Sequence, residues 1–268
     1  MLRKLLKYEI KATGRQFLPL YGALLLFSII NKIFFTVDLS AAGFELPIAI
    51  GIFIYGAIAV AIFVLTFIVM IQRFYKNLLS DEGYLMFTLP VKTWELIVSK
   101  LITAILWMVA SLAVTAITLL IMAINTEMIT AIPELFSELH AFLLQYFGIS
   151  EYVLVFELIL VLFATIVSSI LLIYVSIAIG HLSSKHRFLA SFGAFIGLNV
   201  VEQMIYSFIE WILGTAGYDV FEILNNLIVN NPAMLHLIAI PALIITLATA
   251  IAYFFITSWI LSRKLNLE

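Results

Sequence analysis

Long apolar runs alternate with short polar breaks along the whole of this chain. A helix needs about 20 predominantly apolar residues to cross the hydrocarbon of a bilayer. Six stretches meet that length: Phe17–Phe35, Leu46–Ile71, Leu101–Ile124, Tyr152–Gly180, Phe188–Leu213 and Ala233–Leu261. The runs are continuous and do not alternate, which argues against membrane strands. Several exceed the minimum, so they allow tilt or stubs that project beyond the lipid. The pattern predicts an all-α, polytopic membrane protein with six transmembrane helices.

The breaks predict their own elements. Over Met1–Gln16, Leu2, Leu5, Leu6 and Ile10 share one helical face, while Arg3, Lys4, Lys7 and Lys11 share another. Such a segment suits an amphipathic helix lying in the cytoplasmic interface, with Gly14 and Pro19 allowing a turn into span one. It also suits a simple topogenic signal. Ile132–Gly148 predicts a second amphipathic helix, with Pro133 at its first position and Leu135, Leu139, Phe142, Leu143 and Tyr146 on its apolar face. Asp219–Val229 predicts a third, followed by Asn231 and Pro232 as cap and first position of span six. These outer helices can shield span ends or form a lid over a pathway. No linker or low-complexity stretch divides the chain, and the two three-span halves show no residue-level repeat. Residues 1–268 therefore read as a single transmembrane domain.

Charge sets the orientation. Arg3, Lys4, Lys7, Lys11 and Arg15 precede span one; Arg73, Lys76, Lys92 and Lys100 lie between spans two and three. Lys185 and Arg187 lie between four and five, and Arg263 and Lys264 follow six; only Lys32 falls on the opposite side. By the positive-inside rule both termini are cytoplasmic, and the expected location is a cell membrane, a bacterial cytoplasmic one. Composition agrees, with 64% hydrophobic and 11% charged residues against about half and a quarter in soluble domains. The chain has no cysteine, which excludes disulfides, thiolate metal sites and cysteine nucleophiles. Met1–Gln16 has no small-residue cleavage site, so span one is expected to be retained.

The densest polar segment is Arg73–Lys100, RFYKNLLSDEGYLMFTLPVKTWELIVSK. Asp81 and Glu82 suit a helix N-terminus, Gly83 relaxes the backbone, and Pro90 ends the segment. Tyr84, Leu85, Phe87 and Leu89 are apolar groups outside the bilayer and need a surface to cover them. Thr93 can cap the next helix, with Glu95 in its first turn and Trp94 at the interface. The segment therefore reads as a short, stiff helix beneath the membrane. It either offers a handle to a soluble partner or packs on its own span ends.

Ser80–Lys100 resembles the permeases of the ATP-binding-cassette type-2 exporter family. That pattern has an acid-Glu-Gly-x-Leu run, a Leu-x-Pro turn, a Trp-Glu pair near the next helix and a closing Lys. Here these are Asp81-Glu82-Gly83-Tyr84-Leu85, Thr88-Leu89 before Pro90, Trp94-Glu95 and Lys100. Tyr84 stands where the family more often has Thr. The basic amphipathic start and six-span plan follow the family in outline. The resemblance implies that Asp81, Glu82, Gly83, Tyr84, Leu85, Phe87 and Pro90 form a coupling helix that docks on a soluble ATPase subunit. It also implies a second permease subunit, the same or a different chain, so that two permeases enclose the path.

The chain carries no G-x-x-x-x-G-K-[ST] phosphate loop, no H-E-x-x-H and no G-x-S-x-G. ATP and Mg are therefore expected on the partner, and this chain is expected to bind no cofactor and perform no covalent chemistry. His140, His181, His186 and His236 are scattered, with no convergent metal set. Polar groups inside a span must face protein or water. Span five concentrates them: Asn199, Glu202 and Gln203, with Gly193 and Gly197 at G-x-x-x-G spacing. These five residues line a translocation path or a subunit interface, or else hydrogen-bond within one subunit. Glu157 reads as interfacial at the outer end of span four. The rival functions are a secondary transporter driven by an ion gradient, with Glu202 as its buried carboxylate, and a membrane scaffold or sensor.

Overall fold

A computed structural model describes residues 2–36, 45–79, 83, 88, 90–124, 126–147, 151–183, 185–215 and 236–263. Among them every regular element is helical: α1 (Leu2–Thr36), α2 (Glu45–Leu78), α3 (Thr93–Ala123), α4 (Thr126–Phe147), α5 (Glu151–Gly180), α6 (Arg187–Thr215) and α7 (His236–Arg263). All but α4 are long and apolar enough to cross a membrane, which gives six candidate spans and a multi-pass membrane protein. Packing divides the chain into two compact units, Met1–Pro133 and Glu134–Glu268, matching the two three-span halves of the sequence.

In the first unit α1 packs against α2 and α3, and α2 against α3. Its apolar centre joins Phe17, Tyr21, Leu24, Tyr55, Ile62, Val69 and Trp107. The ring of Phe17 stacks on Trp107 with centroids 4.5 Å apart. In lipid the contact between helices gains from close fit and from hydrogen bonds, because lipid tails are as apolar as leucine. The unit uses both. Trp107 Nε1 donates to Thr13 Oγ1 at 2.6 Å, Tyr21 Oη meets Ser111 Oγ at 2.8 Å, and Thr66 Oγ1 meets the same Ser111 at 3.1 Å. Tyr55 Oη meets Thr118 Oγ1 at 2.9 Å, and Asn31 Nδ2 donates to the Gly51 carbonyl at 3.0 Å. On α1 this stripe is Glu9, Thr13, Phe17, Tyr21, Leu24, Ser28 and Asn31, all buried at three- and four-residue spacing.

That stripe corrects one expectation. The turn at Gly14–Pro19 is absent, since α1 runs from Leu2 to Thr36 with Pro19 inside it. At 1.5 Å per residue it is about 50 Å long, well beyond a hydrocarbon core of about 30 Å. Gly14 is no hinge: it is buried, and a Cβ there would lie 3.6 Å from the Trp107 ring. The two predicted faces do exist on the first turns, with Leu2, Leu5, Leu6 and Ile10 half-buried and Arg3, Lys4, Lys7 and Lys11 exposed.

In the second unit α5 packs on both α6 and α7. Its second half is almost wholly buried, including Ile170, Leu171, Tyr174, Val175, Ser176 and Ala178. Ser168 Oγ meets Thr249 Oγ1 of α7 at 3.3 Å. A short turn joins α5 to α6, with Leu182 N–H donating to the Ile179 carbonyl at 3.0 Å. Gly180 is required there, because a Cβ would run into the Oγ, N and Cα of Ser191.

The outer helix also starts differently from the prediction. α4 begins at Thr126, so Pro133 lies inside it and not at its first position. Pro133 is the eighth residue of the helix, in its interior, where it removes one backbone donor and crowds the carbonyl of Ile129. Leu135, Leu139 and Phe142 of its apolar face are each more than half exposed, and Glu134 and Glu138 are exposed as well. Asp219–Val229, Asn231 and Pro232 lie outside the described residues.

Candidate functional site

Two candidate regions came from the sequence. The coupling segment is described at its edges: Asp81, Glu82, Tyr84, Leu85 and Phe87 lie outside the described residues. Gly83 is helical and buried, and Thr88 is helical and exposed. Gly83 presses on the end of α2, where a Cβ would meet the Leu78 carbonyl oxygen at 2.7 Å and its carbon at 2.9 Å. Both atoms are backbone, so no side-chain rotation relieves the clash. The glycine thus serves close approach, a reason distinct from the backbone freedom predicted for it. Pro90 is exposed at a bend.

The start of α3 differs in detail. Thr93 is the first helical residue, and the N-cap is Lys92, extended at φ −78° and ψ 145°. The cap comes from Glu95, whose Oε2 accepts from the Lys92 N–H at 3.1 Å. That bond satisfies the Lys92 N–H; lysine itself has no side-chain acceptor for the N–H groups of the first turn. Trp94 is 43% exposed, whereas Leu96 and Ile97 of the next turn are buried.

Lys100, the closing residue of the segment, is buried and forms an ion pair with Glu9 of α1. The second carboxylate oxygen of Glu9 is buried without a hydrogen-bond partner. One turn on, Trp107 donates to Thr13. The end of the loop is therefore tied to α1 by two polar contacts, which lie side by side along one helix face. Sequence reasoning missed Glu9. The available signal was a lone acid between Lys7 and Lys11, four residues ahead of Thr13.

The second region lies on α6, none of whose candidate-span residues is buried. Gly193 and Gly197 are exposed, and a Cβ at either meets nothing within 4 Å. Asn199 is exposed and turns its Nδ2 back to the Phe195 carbonyl at 2.7 Å; Gln203 is exposed. Glu202 alone turns inward. It is half-buried, and its Oε1 accepts from the Tyr253 hydroxyl of α7 at 2.7 Å. The structure thus separates the five residues, with the glycines on an open face and Glu202 against α7. Their angular separation explains this, because Glu202 is rotated by about 140° from Gly197 at about 100° per residue. Tyr253 was also missed. It is a buried hydroxyl on a helix whose threonines 246, 249 and 257 bond to their own backbone.

No family model matches this chain, no curated protein matches it, and no solved structure matches it. Function is therefore argued from the residues.

Proposed function

We propose that this chain is the permease subunit of an ATP-driven exporter. It works with a separate soluble ATPase that binds ATP and Mg, and with a second permease subunit. The observation that carries this reading is that segment Arg73–Lys100 starts within α2 and ends within α3, with its described residues Gly83 and Lys100 held against the helices. Gly83 is wedged on the end of α2, and Lys100 is ion-paired to Glu9 in the interior of the first unit. A push delivered at Gly83 or Lys100 would pass directly into α1, α2 and α3. Closure of the ATPases would then tilt the spans and expose a path alternately to each side. The exposed glycine face of α6 is the surface offered to the second permease. The chain's own role is mechanical, in a bacterial cytoplasmic membrane.

The test is co-purification. Glu82→Lys should weaken the complex with the ATPase and its stimulated ATP hydrolysis while leaving membrane insertion intact. Unchanged co-purification and unchanged hydrolysis would reject the docking role. The pairing of Glu202 with Tyr253 favours a second reading, a transporter driven by an ion gradient, because a half-buried carboxylate within a span is a proton or cation ligand. Transport by the isolated chain in vesicles, with a proton gradient and no ATPase, would select it.

A further inference from the structure

A cleft of about 230 Å³ opens between α1 and α2, lined by Gln16, Val69, Gln72, Arg73, Lys76 and Asn77. A water needs only about 10–15 Å³ of such space, so the cleft has room for a much larger group. Among the described residues that line it none is acidic, and Arg73 and Lys76 are cationic. We propose that it binds the phosphate headgroup of an anionic phospholipid.

Asn77 is the first argument. Its side chain is 8% exposed and lines the cleft, yet it makes no hydrogen bond to another described residue. The amide reaches the open cleft, where it is accessible to a ligand. A phosphate oxygen in the cleft supplies an acceptor for Nδ2. Arg73 is the second argument. It is half-buried, lines the same cleft and has no ion pair or hydrogen bond with a described residue. Its planar fork matches two phosphate oxygens, which a point charge does not. Lys76 adds a second cation at the exposed rim, with Gln16 and Gln72 as further donors.

Depth points to lipid as the source. The apolar run of α2 ends at Ile71, directly before Gln72, and Gln16 directly precedes Phe17, where the apolar run of α1 begins. Both walls therefore sit at the level where hydrocarbon gives way to headgroups. Val69, buried at the inner side, continues into the apolar core. By the positive-inside rule this is the cytoplasmic leaflet, which carries the anionic lipids. One effect opposes an anion here, since α2 ends at Leu78 and its last carbonyls carry about half a negative charge. The full charge of the Arg73 guanidinium outweighs it.

The experiment is native mass spectrometry of the purified full chain in neutral detergent. The added probes are phosphatidylglycerol, phosphatidylcholine and inorganic phosphate. The parent should retain phosphatidylglycerol about tenfold better than phosphatidylcholine, and Arg73→Gln should lose about tenfold or more of that retention. Asn77→Ala should lose a smaller part. Its lipid-free thermal stability should hold, because the substitution removes an unpaired amide. Lys7→Gln, an exposed cation outside the cleft, should match the parent. Equal retention of the two lipids would overturn the proposal. So would parent-like behaviour of Arg73→Gln and Asn77→Ala, or a loss in Lys7→Gln as large as in Arg73→Gln. Binding of inorganic phosphate as strong as that of phosphatidylglycerol would overturn the lipid assignment.

Discussion

Removing the Lys100 ammonium should destabilise the first unit more than any change at its surface. The Lys100 and Glu9 side chains are 2% and 9% exposed, and one Glu9 oxygen already lacks a partner. Lys100→Met deletes the counter-charge and leaves the carboxylate buried alone. Breaking a buried pair from one side costs about 3–5 kcal/mol, whereas replacing both members with apolar groups is often neutral. For a chain of this size each kcal/mol moves Tm by about 2–4 °C, so the single variant should lose about 6–20 °C. Glu9→Gln should fall in the same direction. The double variant Glu9→Leu/Lys100→Met should recover most of the loss, giving a coupling of a few kcal/mol across the cycle. The assay is thermal unfolding of the purified chain in a fixed detergent, followed by tryptophan fluorescence, with Trp107 near the pair as reporter. Single variants within about 2 °C of the parent, or a double variant equal to the sum of the singles, would refute the argument.

Gly180→Ala should lower Tm because its Cβ overlaps Ser191 backbone, at a cost of about 1–3 kcal/mol, while Gly193→Ala meets nothing and should be neutral or slightly stabilising. Gly197→Leu should leave the monomer folded but reduce assembly of permease pairs on size-exclusion chromatography, since bulk blocks close approach. Tyr253→Phe and Glu202→Gln should both preserve assembly and alter transport-coupled ATP hydrolysis; parent-like activity in Glu202→Leu would remove Glu202 from any functional role. A single cysteine at 138 should label only from outside and one at 185 only from the cytoplasm, with the reverse pattern overturning the topology.

The number, position and helical nature of the spans were legible in the sequence. Twenty apolar residues in a row leave the backbone no choice in lipid but to satisfy its own hydrogen bonds as a helix. The faces of the basic first turns were legible for the same reason, because periodicity is local. Continuity through Gly14 and Pro19 was not. Those residues are turn signals in isolation, and only the stack of Trp107 against Phe17 and Gly14 makes a straight helix preferable. The partners of buried polar groups were hidden too. Glu9 and Lys100 are 91 residues apart, and Glu202 and Tyr253 are 51 apart. Spacing within a helix says which residues share a face, and it says nothing of which helix that face meets. The sequence could mark Glu202 as too costly to leave in lipid, but only the approach of α7 decides that a tyrosine hydroxyl relieves the cost. Likewise Gly83 was chosen by its motif, while its reason, a Leu78 carbonyl too close to admit any Cβ, exists only once α2 and this glycine are folded together.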